Sequence, residues 1–406
     1  QGQLISQVGT QAFMVGMLYW TMEATGSASL MGTLLMLSIL PGVILGPFGG
    51  TLADRYSRWW IIVLCDLVAG LAVLLVCLPF FFRWGETKVL IALLLAVSGT
   101  LGVILAFFRP AVMAAIPDLV PPERVPAANS LNQFSLQSSV ILGQGLGGIA
   151  YSLVGAPILF LIDGLSYLFA AGSETFIEIP QRLRPKTSGW KDSFRAFWHD
   201  TKDGLHYVWN QAGMRNFLIL VGLVHLFVMP LVVMLPFFVE INLRRGSEWY
   251  GFLMAGFSSG SVLGYVIAGF KPFSPHRRGV ALILLLLSGG LLFSFLGFVH
   301  RPLLALVLEV IMGVALGIFN INAITLFQTS TSTELRGRVM GLVMTIAMSA
   351  SPLGMFLGGV AGDLTGKNLP LIYGSCGAGI LASILLLGMR PSVLQFLRGK
   401  AATERC

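Results

Sequence analysis

An all-α membrane protein of twelve spanning helices, in two pseudo-symmetric six-helix halves, is what this sequence predicts. Three observations carry that expectation. Of 406 residues, 55% are apolar and only 11% charged, with a mean hydropathy of +0.83; soluble domains carry roughly 25% charge. Twelve apolar runs of about 20 residues, the length that crosses a bilayer, fall at 2–25, 28–52, 59–82, 88–115, 127–154, 157–178, 214–240, 248–270, 279–299, 302–328, 338–363 and 369–390. The halves also repeat. Glu123/Glu334, Gly147/Gly358, Gly148/Gly359 and Gly155/Gly366 are each 211 positions apart, and Gly32/Gly251 and Gly50/Gly269 are 219 apart. Parallel repetition of two bundles is a recurrent plan of transporters.

This pattern divides the chain into an N-terminal bundle (1–179), a linker (180–213), a C-terminal bundle (214–391) and a tail (392–406). In the linker Phe194, Phe197, Trp198, Leu205, Val208 and Trp209 recur at helical spacing opposite Lys191, Arg195, His199 and Lys202. That reads either as an amphipathic helix on the membrane surface or as a helix packed beneath the bundle. Charge sets the orientation. With both termini cytoplasmic, the cytoplasmic segments carry 19 of the 26 Lys and Arg and the outer ones 6, with Arg109 inside a run. Such a bias orients a membrane protein and makes nucleic acid unnecessary as an explanation of the basic balance.

Four scattered cysteines and five dispersed histidines offer neither a disulfide framework nor metal spacing. No signal peptide is evident, and the start at Gln1, almost inside a helix, leads us to expect residues before it. No phosphate-binding loop occurs, so no cofactor and no ATP hydrolysis are expected, and no nucleophile–base spacing suggests an enzyme. Drive would come from an ion gradient, the membrane potential or the substrate gradient.

Ionisable residues inside apolar runs then become informative, because each costs about 2.5–3.5 kcal/mol at a helix centre on insertion scales. Glu309 suits proton coupling. Asp163 lies at a similar depth in the other half and suits either proton coupling or helix capping and packing. Glu23 lines a cavity or sits at the outer rim. By depth alone, Asp66 and Arg109 would meet as a structural or gating ion pair, with a substrate or proton site as the alternative. Gln133, Gln137 and Gln144 share one helix face; amides there either join helices or line a polar path for an amphiphile. Asn320 and Asn322 carry the same alternatives. Tyr19 and Trp20 could stack on a ligand or anchor the interface. Gly143–Gly148 and Gly354–Gly362 are small-residue faces suited to close crossing.

Between the second and third runs stands G-G-T-L-A-D-R-Y-S-R (Gly49–Arg58). Gly49 and Gly50 permit a close approach, while Asp54, Arg55 and Arg58 can lock helix ends by charge; an ordinary positive-inside loop is the plainer reading. The stretch resembles the loop after helix 2 of major facilitator superfamily transporters, with Ser57 where that pattern usually has Gly. P-A-V-M-A-A-I-P-D-L-V-P-P-E-R-V-P-A-A-N-S-L-N-Q (Pro110–Gln133), L-I-D-G-L-S-Y-L (Leu161–Leu168) and E-L-R-G-R-V-M-G-L (Glu334–Leu342) resemble its exporter branch, which includes macrolide efflux proteins and the enterobactin exporter. The resemblance implies a monomeric secondary transporter of the bacterial inner membrane. It would export a small amphiphilic compound by alternating access, with protons as coupling ion and lipids as surroundings. A lysophospholipid transporter of the same fold and a non-transporting receptor are the alternatives.

Overall fold

The computed structural model describes residues 2–82, 86–177, 179–180, 190–270, 273, 275–333 and 335–398. Glu334, one member of a repeat pair, and Lys271 lie outside the described residues.

Helices α1 (Gly2–Thr25), α2 (Ala28–Arg55), α3 (Arg58–Phe82), α4 (Thr87–Leu119) and α5 (Val125–Glu174) come first. They are followed by α6 (Trp190–Asn210), α7 (Ala212–Phe237), α8 (Ser247–Phe270), α9 (Pro275–Leu296), α10 (Pro302–Thr329), α11 (Arg336–Leu364), α12 (Leu369–Ser383) and the short α13 (Pro391–Leu397). Single wide turns extend α7 to Asn242 and α12 to Gly388.

Ten helices qualify as membrane spans by length and composition. One of them, α5, is two spans: Gly155, at φ 73° and ψ 178°, breaks it into arms 125–154 and 156–174. The twelfth is α1, long enough to cross but more polar because it carries Gln3, Gln7, Thr10 and Gln11. All twelve apolar runs therefore correspond to helices.

Local chemistry places the joints. Gly155 and Gly366 both adopt positive φ, where a side chain is costly and glycine is not. They stand 211 residues apart, so the repeat is expressed in the backbone as well as in composition. Ser27 caps α2 by accepting from the Leu30 amide, and Asn368 caps α12 by accepting from that of Leu371.

The chain forms two compact units, 1–194 with 245–255, and 195–244 with 256–406. In the first unit α1 packs along α5, α2 along α4, and α3 along the 156–174 arm. The first unit takes in the opening turns of α8 because Ser247 donates to the Gly148 carbonyl at 2.8 Å, and Gly251 lies against the carbonyls of Gln144 and Gly145. In the second unit α7 packs on α11, α9 on α12, and the later turns of α8 on α10 through Gly260, Gly264, Gly313 and Gly317.

The exposed face of α3 is apolar, with Leu64, Leu67, Leu71, Leu75 and Leu78 outward and Asp66 inward. That pattern suits lipid outside and polar partners within. The later turns of α6 pack within the second unit. Val208 joins its core, Asp203 accepts from Arg338 at 2.8 Å, and Trp198, Leu205 and Trp209 stay exposed. Packing of Val208 and Asp203 on the second unit agrees with the second reading of the linker helix, and the exposed Trp198, Leu205 and Trp209 agree with the first; the side chains of Lys191, Phe194, Arg195 and Phe197 lie outside the described residues.

Candidate functional site

The G-G-T-L-A-D-R-Y-S-R stretch forms a latch within the first unit. Arg58 opens α3 and donates from Nη1 to Asp118 at the end of α4 and to the Ala114 carbonyl (2.7 Å), while its Nε reaches the Ala53 carbonyl at 3.2 Å. Asp54 is a looser partner of the same guanidinium at 3.9 Å. One planar fork thus ties the ends of three helices. Arg55 is half-buried at the end of α2. Gly49 supplies the close approach: a Cβ there would overlap the Ala106 carbonyl of α4. Gly50, expected to share that role, has nothing within 4 Å among the described residues.

The expected Asp66–Arg109 pair is not formed among the described residues, because depth along a helix does not fix direction around it. Asp66, Gly70 and Cys77 share the face of α3 that meets the 156–174 arm. Gly70 lies against Gly164 and Leu168, and Cys77 bonds toward the Pro157 carbonyl. Arg109 is exposed. Asp66, 1% exposed, is within electrostatic reach of Glu174 instead, and its Oδ2 has no hydrogen-bond partner among the described residues. Glu174 accepts from Gln3 Nε2 at 3.0 Å, and its backbone carbonyl accepts from Trp59 Nε1 at 2.8 Å.

Further along the same seam Asp163 is fully buried. Thr10 stands 3.3 Å from its Oδ1 and 2.8 Å from the Tyr167 hydroxyl. Asp163 Oδ2 has no partner among the described residues. A Cβ on Gly9 would collide with Ser166 and Asp163, so α1 closes over this carboxyl.

The amide face of α5 is partly assembled. Gln144 donates to Gln11 at 2.8 Å, and Ser135 donates to Gln7 at 3.2 Å. Gln137 is half-buried and Gln133 exposed. At the other end of α1, Tyr151 donates to the exposed Glu23 at 2.8 Å, and Tyr19 is wedged between Tyr151 and Tyr250 with centroids 5.3 and 5.7 Å away. Trp20 meets Phe80 edge-on at 5.7 Å.

In the second unit Glu309 is 1% exposed, and its Oε1 has no partner among the described residues. It is within electrostatic reach of Tyr373, itself buried between Phe238 and Phe293. Asn322 donates to its own helix at Ile318 (2.9 Å), and Asn320 is half-buried.

Several participants had gone unnamed: Gln3, Gln7 and Gln11, Thr10, Tyr167, Glu174 and Asp118. The three glutamines at i, i+4 and i+8 were a visible stripe. Glu174 stands at a run's end, where an acid reads as a boundary, and Asp118 sits between prolines. Among the described residues no group of His, Cys, Asp or Glu could hold a metal ion.

The model of the Major Facilitator Superfamily matches residues 2–355. Macrolide efflux protein A of Streptococcus pyogenes is 26% identical over 374 residues, 90% of this chain and 89% of that protein. The multidrug efflux pump Tap of Mycobacterium tuberculosis is 24% identical over 377 residues, 90% and 86% of the two chains. Among solved structures, the nucleoside transporter NupG is similar with a TM-score of 0.75, covering 96% of this chain and 99% of that one at 10% identity. That last likeness concerns the fold alone.

Proposed function

We propose that this chain, which belongs to the Major Facilitator Superfamily, exports a small amphiphilic compound in exchange for protons by alternating access. Its family and the relatives named above are membrane transporters rather than enzymes, and two of them carry efflux names over nine-tenths of this chain. A drug of the macrolide kind is therefore the first compound to try.

The observation that carries the coupling is Glu309. A carboxyl with 1% exposure and an oxygen without a partner among the described residues is costly to keep charged in such a place, so it earns its position by exchanging a proton. Asp163 is its counterpart in the first unit, and Glu23 receives protons at the rim. Gln11 and Gln144, with Gln133, Gln137, Asn320 and Asn322, offer amides to the substrate's polar groups, and Tyr19 and Trp20 offer rings. Arg58 with Asp54 and Asp118, supported by the close approach at Gly49 and by Arg55, acts as the latch of the cytoplasmic mouth; Asp66 and Arg109 act as separate groups near it. The excess of basic residues supports a cytoplasmic membrane location with both termini inside.

Proteoliposomes carrying a pH gradient and a fluorescent macrolide test this. Wild-type protein should accumulate the compound against its gradient, and Glu309→Gln should not. Equal pH-driven transport by both would overturn the assignment of Glu309.

A further inference from the structure

We infer that the exposed face at the end of α6, where Trp209 stacks with Arg215 of α7, binds the headgroup of an anionic phospholipid. The later turns of α6 present three faces. Gly204 and Val208 turn inward: Val208 is buried in the core of the second unit, and Gly204 lies against the Arg338 backbone. His199, Asp203, His206 and Asn210, at i, i+4, i+7 and i+11, form a polar face. Its bonds are already made: His199 meets Asp203 at 3.1 Å, Asp203 accepts from Arg338, and Asn210 donates to His206 at 2.9 Å. Trp198, Lys202, Leu205 and Trp209 repeat the same spacing on the third face. All four are exposed, and they include one cation and no acid.

The position of this third face names its occupant. Gln211 alone joins α6 to α7, and the span that α7 opens begins at Ala212. Ala212, Arg215 and Ile219, at i, i+3 and i+7, form a side of α7 that is not buried. The outward side of the span therefore starts level with the end of α6. Arg215 ties the two helices: its Nη1 donates to the Trp209 carbonyl at 3.2 Å, and its guanidinium lies over the Trp209 ring, 5.7 Å from the centroid. An indole at such a boundary anchors in the headgroup layer. A guanidinium stacked on a ring keeps its edge donors for phosphate oxygens. Arg215 has five N–H donors, of which one is committed among the described residues. Lys202, two turns back along the same face, adds a second positive charge. A zwitterionic headgroup offers phosphate too, but brings its own cation, so a net anionic headgroup is the better fit. Its binding would fasten the end of α6 to the start of α7. The site does not depend on the export reading.

Tryptophan quenching by brominated lipid tests the site with the full chain in liposomes. Phosphatidylglycerol and phosphatidylcholine, each brominated near the top of the acyl chains, are compared at equal mole fraction in unbrominated phosphatidylcholine. Wild type should be quenched more strongly by the brominated phosphatidylglycerol, and most of that excess should be lost in Trp209→Phe. One basic group near an anionic surface is worth about a five-fold preference. Arg215→Gln should therefore weaken the apparent affinity for phosphatidylglycerol about five-fold, Lys202→Gln should weaken it less, and Arg215→Lys should keep most of it. If Arg215→Gln fails to fold, the exposed positions changed in Trp209→Phe and Lys202→Gln still decide the matter. Equal quenching of wild type by the two lipids overturns the proposal. So does an excess unchanged in Trp209→Phe, which places the lipid elsewhere. A Trp209 signal quenched by neither lipid, as when water or a second protein covers this face, overturns it as well.

Discussion

In the first unit the lateral helix pair, α3 and the 156–174 arm, meets where Gly70 lies against Gly164; in the second, α9 and α12 meet where Gly290 lies against Gly377. The inner pairs correspond as well, with Gly143 and Gly147 of α5 against α1, and Gly354 and Gly358 of α11 against α7. Small residues let helices touch in both halves, and the joints at Gly155 and Gly366 both adopt positive φ. What differs is the placement of the buried acids. The first unit puts Asp66, Asp163 and Glu174 into its lateral seam and gives them Gln3 and Thr10 of α1 as neighbours. The second leaves Ser294 and Tyr373 near the corresponding seam and draws its acid, Glu309, from α10. A duplicated scaffold thus holds two different polar interiors, which lets the halves carry different duties.

The contrast can be broken at the helix crossings first. Gly49→Leu drives a side chain into the Ala106 carbonyl and should cost about 3 kcal/mol or more. Gly269→Leu, at the repeat counterpart of the neighbouring Gly50 and with nothing within 4 Å among the described residues, should stay within about 0.5 kcal/mol. Thermal unfolding followed by fluorescence-detected size exclusion reads both. Equal losses would mean that the crossing is not where the first unit is tightest.

The latch comes next. Arg58→Ala removes the tie between three helix ends and should cost about 2 kcal/mol, since charged hydrogen bonds are worth about 1.5–3 kcal/mol each and the partly exposed Asp118 side of the pair is screened. Asp118→Asn should cost less than half as much. A double-mutant cycle on the pair should show coupling, and additive losses would contradict the latch.

Polar pairing inside the first unit should yield a smaller effect. Gln11→Leu or Gln144→Leu strands the other amide and should each cost about 1 kcal/mol, whereas the double substitution should cost less than the sum. Additive Tm losses would show that the two amides act independently.

The smallest effect belongs to the second unit. The Tyr373 hydroxyl is buried without a partner among the described residues, so Tyr373→Phe should be neutral or stabilising by up to about 1 kcal/mol. A clear drop in Tm would reveal a bond to that hydroxyl.

Much of this was legible beforehand. Apolar length located all twelve helices, and the 211-residue spacing marked Gly155 and Gly366 before any backbone angle was known. Azimuth was harder to read. Asp66 and Arg109 match in depth yet face different neighbours, because α3 turns its Asp66–Gly70–Cys77 face to the 156–174 arm. Gln133 and Gln144 share a face, yet only Gln144 is buried against α1. Pairings such as Gln3–Glu174 join residues 171 positions apart, and only packing brings them together.

Substrate exchange set beside net export tests the central claim most directly. In proteoliposomes holding labelled macrolide on one side and unlabelled on the other, Glu309→Gln should exchange label at close to the wild-type rate while losing pH-driven accumulation. A variant that keeps pH-driven accumulation at the wild-type level would contradict the account.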